Sequence, residues 1–173
     1  MDFFETVTRR GSYREAFLPD AVPQADLVKI LDAGLRAPSG RNQQTTCYVV
    51  VTDPATRAAI AEIVPTTAVK TAPAIIVPFS EFHQFKDNGF SFEIEDYAAS
   101  VENVLLAITA LGYASVWIDG KTKIDNNAEK LQKLLNAPEG KHVRAIIPVG
   151  KPEKAVTQRE KKPFAERVFY ERF

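Results

Sequence analysis

A chain of 173 residues is long enough for one hydrophobic core and short for two, so a single domain spanning residues 1–173 is expected. Its 22 basic and 22 acidic residues cancel, which leaves no excess positive field for nucleic acid or an anionic membrane surface, and any anion site must be local. The stretch MDFFETVTRR has no basic region leading into an apolar run, and no segment reaches bilayer-spanning length; a cytoplasmic protein without nucleic-acid or membrane partners is expected.

Asp2 to Arg9 reads as a short helix with Phe3, Phe4 and Val7 on one side, leading into Arg10-Gly11-Ser12-Tyr13-Arg14. From Pro23 to Leu35, Leu27, Ile30, Leu31 and Leu35 fall at helical spacing, with Pro23 suited to a first turn. Arg36 to Gln44, RAPSGRNQQ, breaks that helix. Pro38 disfavours helical backbone at Ala37, and Ser39 and Gly40 let the chain turn or approach a ligand. Asn42, Gln43 and Gln44 add a row of amide donors and acceptors that suits a planar heterocycle; a plain turn-rich connection is the other reading. Thr46 to Val51 is a strand holding the one cysteine, Cys47, which cannot form an intrachain disulfide and is expected to be a small core residue.

Asp53-Pro54 caps a helix expected to run through Val64, and Ala74 to Phe79 is a second strand. Ser80 to Phe92 is irregular and aromatic, and reads either as a lid over a planar ligand or as a loop anchored in the core by its phenylalanines. Asp96 to Leu111 should be the central buried helix, with a stripe of Val101, Val104, Leu105, Ile108 and Leu111. Its neighbouring face of Ser100, Asn103, Ala107 and Ala110 would admit a second helix, within the chain or across a dimer. Gly112 should end it, Tyr113 to Ile118 should form a strand, and Asp119-Gly120 offers a second ligand edge where glycine permits unusual backbone geometry. Asn126 with Glu129 resembles a capping box for a helix carrying Ala128, Leu131, Leu134 and Leu135 inward, and Val143 to Val149 is the last long strand. Beyond Gly150 the chain is first basic and then aromatic, too apolar at its end to be disordered. Mixed helices and strands that do not strictly alternate indicate an α+β or mixed-sheet α/β sandwich.

Five motifs in order give the chain a family resemblance: Arg10, Ser12 and Arg14 within RGSYR; Ala37, Pro38, Ser39, Asn42 and Gln44 in an APSxxNxQ pattern; the ENVLLAITALGYASVWIDG stretch; Ile147 to Pro152; and the KKPFAERVFYERF ending. On these the chain resembles the flavin-dependent nitroreductases. The resemblance implies an α+β, three-layer α-β-α sandwich around a mixed, mainly antiparallel sheet, with a domain-exchanged carboxy-terminal arm. It further implies a homodimer with FMN at the subunit interface, reduced by NADH or NADPH and reoxidised by a nitroaromatic, quinone or similar small acceptor in a ping-pong scheme. Arg10, Ser12 and Arg14, with Arg159 and Lys161 from the tail, would meet the phosphate, although the tail cations could equally form a solvated surface. Pro38, Ser39, Asn42 and Gln44 would face the ribityl chain or ring edge, and Asp119 and Gly120 the ring near its reactive nitrogen. Asp119 is an insertion relative to the usual Trp-Ile-Gly succession, so this turn could also be a simple strand end. No residue is nominated as a covalent catalyst, and the histidines His83 and His142, with no HExxH or CxxC spacing, make no metal site. A flavin-binding protein for storage, delivery or redox sensing is a second functional class, and a structural or interaction dimer in which the motifs only keep the fold is a third.

Overall fold

The computed structural model describes residues 1–87 and 89–173. Six helices are described: α1 (Phe3–Arg9), α2 (Gln24–Leu35), α3 (Pro54–Ile63), α4 (Thr67–Thr71), α5 (Glu93–Ala110) and α6 (Asn127–Leu134). The strands are β1 (Thr46–Val51), β2 (Ala74–Glu81), β3 (Ala114–Ser115), β4 (Lys141–Val143) and β5 (Ile147–Gly150). They form one sheet in the order β1-β2-β5-β3, with β4 beside the second half of β2. Among the described residues every strand pair is antiparallel, and one parallel bridge, between Ser12 and Ser115, makes the sheet mixed.

The three layers follow from the period of two in β2. Ile75, Val77 and Phe79 point to one face, where Ile60, Val64, Val69 and Leu131 from the α3, α4 and α6 side cover them. Ala74 and Ile76 point to the other, under Leu27 and Ile30 of α2 and Val101, Val104 and Ile108 of α5. With both faces covered, β2 is a continuous apolar run with no alternation in its sequence.

Prolines divide two strands that periodicity alone makes continuous. The expected strand 143–149 is two, β4 and β5. Pro78 of β2 stands opposite the break, accepting from Arg144 N at 3.0 Å but with no N–H to return. Tyr113 to Ile118 shrinks to β3 for the same reason. Continuing the β3–β5 register puts Val116 opposite Pro148, a position that would be hydrogen-bonded, and pairing resumes only where Ile118 and Ile146 exchange bonds of 3.0 and 2.9 Å.

Helix α5 begins at Glu93, three residues before Asp96, with Glu93, Glu95 and Asp96 all in its first turn, where carboxylates favour the dipole. It ends as expected at Gly112, φ 80°, with Gly112 N donating to Thr109 O and Tyr113 N to Ile108 O. The small-residue face packs on α2 within the chain: Ser100 Oγ donates to Gly34 O at 2.7 Å and Asn103 Nδ2 to Ala33 O at 3.0 Å. A Cβ on Gly34 would lie 2.6 Å from Val104 Cγ2, so only glycine lets the helices come this close.

Other expectations need correction. The capping box does not form, because Asn126 is left-handed and makes no side-chain cap; Asn127 Nδ2 holds this end by donating to Lys121 O at 2.9 Å. Helix α4, capped by Thr66 Oγ1, lay in an unassigned stretch. Cys47 is half-buried against the core, not inside it. Phe3, Phe4 and Val7 are exposed and Thr6 is the buried residue of α1. Phe164, Val168, Phe169, Tyr170 and Phe173 are also exposed, although the rings of Phe169 and Phe173 pack on each other at 4.7 Å. Among the described residues no helix is long and apolar enough to cross a membrane.

Candidate functional site

The basic pole is built where two distant segments lie side by side. The backbone of Ser12 and Tyr13 is pinned to the β3 edge through Tyr13 N to Ser115 O, 2.9 Å. Along its other side runs the segment after Gly150. Gln158 Nε2 donates to Val7 O at 2.9 Å and Arg10 O at 2.8 Å, and Lys154 N donates to the Tyr13 hydroxyl at 3.2 Å. The two segments touch at Gly11, where a Cβ would meet Thr157 O at 2.6 Å. The result is a cleft of about 610 Å³ lined by Arg10, Ser12, Arg14, Lys154, Arg159 and Lys161, among others, with Glu15 as its acidic member. Arg10 is half-buried and steered by Glu102 of α5, Nε to Oε1 3.5 Å. Five cations drawn from both ends of the chain therefore converge in a protein with no net charge, and the two tail cations are part of that cleft.

Arg14 also lines a second, more apolar cleft of about 420 Å³, with Val116, Trp117, Ile118, Asp119 and Gly120 on one wall and Thr66 and Ala68 of the α4 region on the other. Asp119 is fastened by Lys123, Nζ to Oδ2 2.7 Å, and this partner raises the Lys123 pKa through the hydrogen bond first and charge second. Gly120 has neither a positive φ nor an atom within 4 Å of where a Cβ would be; its geometry is open to any residue, contrary to expectation. Thr66 and Ala68 are site-wall residues that the sequence reading missed. Their only signal was a Pro-Thr-Thr cap signature before a short helix.

Pro38, Ser39 and Gln44 are not in either cleft. With Gly34, Thr45, Thr46, Asp96 and Ser100 they line a small hollow of about 160 Å³ at the far side of α5. Asp96, buried, organises this loop: Oδ1 accepts from Gly40 N at 2.8 Å and Oδ2 from the Thr45 hydroxyl at 2.9 Å. Ser39 Oγ accepts from Gln44 N at 3.0 Å. The turn is made by Arg41, Asn42 and Gln44, all at φ near 50° (49°, 55° and 53°), and not by Gly40. Gly40 is needed for space, since a Cβ there would fall 2.6 Å from Phe92 Cγ. Three left-handed non-glycine residues in four positions concentrate strain in a loop of this kind. Asp96 and Glu102, the anchors of this loop and of Arg10, are six residues apart on α5, about 9 Å along its axis and on different sides.

The aromatic segment divides between its two readings. Phe85 is buried and packs on Phe92, the tilted rings 5.7 Å apart between centroids, whereas Phe82 and Phe90 are exposed; Asn88 of this segment lies outside the described residues. Arg41 holds Asp87, whose carboxyl is kept below the usual range chiefly by that hydrogen bond. Two side-chain atoms are buried without a partner among the described residues, Trp117 Nε1 and Thr46 Oγ1, and their residues line the second cleft and the hollow respectively. Among the described residues no group of three or more His, Cys, Asp or Glu side chains is placed to hold a metal ion.

The family model of the Nitroreductase family matches residues 7–68 and 64–151. The chain belongs to the nitroreductase family. A Methanothermobacter thermautotrophicus protein carrying the provisional name NADH dehydrogenase/NAD(P)H nitroreductase is 31% identical over 153 residues, 88% of this chain and 78% of that protein. A provisionally named nitroreductase from Desulfovibrio desulfuricans, solved in complex with FMN, is 27% identical with a TM-score of 0.81, covering 98% of this chain and 96% of that one. The NADPH:FMN oxidoreductase of Vibrio harveyi complexed with NAD+, at 24% identity, shares the fold with a TM-score of 0.83 over 98% of this chain and 77% of that one. The nitroreductase fold and an oxidoreductase family are thereby established for this chain.

Proposed function

We propose that this nitroreductase-family chain is a single FMN-binding domain that works as a cytoplasmic homodimer, passing electrons from NADH or NADPH to a nitroaromatic, quinone or similar small acceptor in a ping-pong scheme. The observation that carries the reading is that the two clefts are neighbours, with Arg14 in the lining of both. A cationic pole suited to a phosphate lies beside an apolar slot suited to one face of a planar ring. The donor set fits FMN. Arg10, Ser12, Arg14, Arg159 and Lys161 would hold the phosphate; Asp119, Gly120 and Thr66 would border the ring, over Val116 and Ile118. Bound FMN supplies hydride acceptance from a reduced nicotinamide and electron delivery to the acceptor. The protein binds, orients and excludes water, and neither His83 nor His142 lines these clefts.

The hollow at Pro38, Ser39 and Gln44 shares no lining residue with either cleft, and Asn42 sits beside it at the loop tip. A second copy supplying this loop would close the open side of the slot, which supports a site at a dimer interface. The exposed tail from Phe164 to Phe173 supports the same arrangement, as an arm with apolar side chains to bury. Arg159 and Lys161, by contrast, reach the basic pole of their own chain. Replacing Arg10 by Ala should weaken FMN binding by about 1.5 to 3 kcal/mol, the range for a charge-assisted bond, and leave riboflavin binding almost unchanged. Equal FMN affinity in parent and variant would remove the phosphate from this pole.

A further inference from the structure

A further cavity, of about 660 Å³, is lined by none of the described residues that line the two clefts or the hollow. It lies beside β4, between the start of α5, which covers one face of the sheet, and the start of α6, which covers the other. Strand alternation puts Val143 into the core on the α6 side and sends His142 and Arg144 to the α5 side. There the Arg144 guanidinium is fixed by Nε, which donates to Ser80 Oγ at 2.5 Å, and by Nη2, 3.5 Å from Glu93 Oε1. The second oxygen of Glu93 accepts from the Ser91 hydroxyl, so this carboxylate is occupied, whereas Arg144 Nη1 has no partner among the described residues. Tyr97 lines the same wall and is only 7% exposed, yet its hydroxyl makes no hydrogen bond among the described residues. A nearly buried hydroxyl of that kind marks a place where something else completes the bond. Burial first, and then the charge of Asp119, raise the Tyr97 pKa, while Lys123 and Arg144 lower it, which places the hydroxyl within reach of these charges.

The wall from the 122–132 segment has the opposite sign. Lys123 is held by Asp119, Nζ to Oδ2 2.7 Å, but neither the Asp125 nor the Glu129 carboxylate has an ion-pair or hydrogen-bond partner among the described residues. Phe82, Ile94 and the Tyr97 ring add apolar surface to the lining.

We infer that this cavity is a second ligand site, taking a small aromatic zwitterion whose carboxylate meets Arg144 Nη1 and the Tyr97 hydroxyl and whose ammonium meets Asp125 and Glu129. A purely anionic ligand would face the two free carboxylates, and a purely cationic one would face Arg144. A molecule with both charges at opposite ends is complementary to both walls. The site is separate from the flavin clefts and does not rest on the function proposed above.

The test titrates the purified protein calorimetrically, with and without saturating FMN, against three probes of the same shape. 4-(Aminomethyl)benzoate carries both charges across its ring, while 4-methylbenzoate and 4-methylbenzylamine keep one each. The zwitterion should bind about tenfold more tightly than either single-charge probe, and equally with and without FMN, as expected for one added charge-assisted contact. Tyr97→Phe, which removes only the hydroxyl, should weaken the zwitterion and 4-methylbenzoate about tenfold and leave 4-methylbenzylamine unchanged. Asp125→Asn combined with Glu129→Gln should do the reverse, weakening the zwitterion and 4-methylbenzylamine while sparing 4-methylbenzoate. A loss from fold damage would fall on all three probes in both variants. No binding of the zwitterion at millimolar concentration, a single-charge probe that binds as tightly, or unchanged zwitterion affinity in either variant would overturn the inference. Binding that requires FMN and ignores both variants would place the probe over the flavin and overturn it as well.

Discussion

Gly11→Ala offers a test of the basic pole that touches none of its charges. The added methyl would sit 2.6 Å from Thr157 O, 2.9 Å from Val156 Cγ1 and 3.0 Å from Thr157 C. Non-bonded carbon contacts are comfortable at about 3.5 Å, so the 156–158 backbone must move out by about 0.6–0.9 Å. No backbone strain is involved, since Gly11 does not have a positive φ. That movement pulls on the two bonds from Gln158 Nε2 to Val7 O and Arg10 O, at 2.9 and 2.8 Å, which hold the neighbouring Arg159 and Lys161 over the cleft. Overpacking of this kind costs about 1–3 kcal/mol of stability. Loss of one charge-assisted phosphate contact costs about 1.5–3 kcal/mol of binding, or at least tenfold in affinity. Flavin fluorescence titrations should therefore show FMN binding weakened by at least about tenfold and riboflavin binding nearly unchanged, so that the preference for the phosphorylated ligand shrinks. A variant that keeps the parent's FMN preference would refute the tail's part in the pole. Equal weakening of both flavins would locate the damage at the ring.

Two further predictions concern the scaffold and the arm. Tyr48 hydrogen-bonds Ser100 at 2.5 Å, and burial pushes its phenol from 10.0 up to about 12. Its folded pKa being the higher, the stabilisation is complete below pH 10 and is lost as pH rises toward 12. At pH 11 the loss comes to about 1.4 kcal/mol, so Tyr48→Phe should show a shallower fall between pH 8 and pH 11 in urea unfolding; identical slopes would contradict this. Truncation after Lys162 removes the exposed aromatic arm but no cation of the pole, and it should lower dimer stability and FMN retention together. Sedimentation of the shortened chain as an unchanged, FMN-loaded dimer at low micromolar concentration would mean that the arm docks on its own subunit.

Local chemistry made much of this fold legible. Helix α2 lies where its apolar spacing put it, α3 starts at the Asp53 cap, whose Oδ2 accepts from Thr56 N at 2.8 Å, and Gly112 ends α5. What failed was long-range. Whether 143–149 stays one strand depends on Pro78, and whether 113–118 does depends on Pro148, each of which is far in sequence from the strand it interrupts. For the candidate site, motif order picked out residues that converge on the basic pole, Arg10, Ser12, Arg14, Arg159 and Lys161. It could not reveal that Pro38, Ser39 and Gln44 stand apart from them, because that separation is set by which side of α5 each loop joins. Nor could it reveal the roles of Asp96 and Arg41, whose partners lie 56 and 46 residues away.

The most direct measurement of the central claim is an absorbance spectrum of the purified, FMN-saturated protein during anaerobic titration with NADH and, separately, NADPH. An FMN-dependent oxidoreductase should be yellow, bleach stoichiometrically with at least one of the two, and regain its colour when a quinone or nitroaromatic is added. A protein that takes up no FMN, or that stays yellow through excess of both nucleotides, would contradict the account.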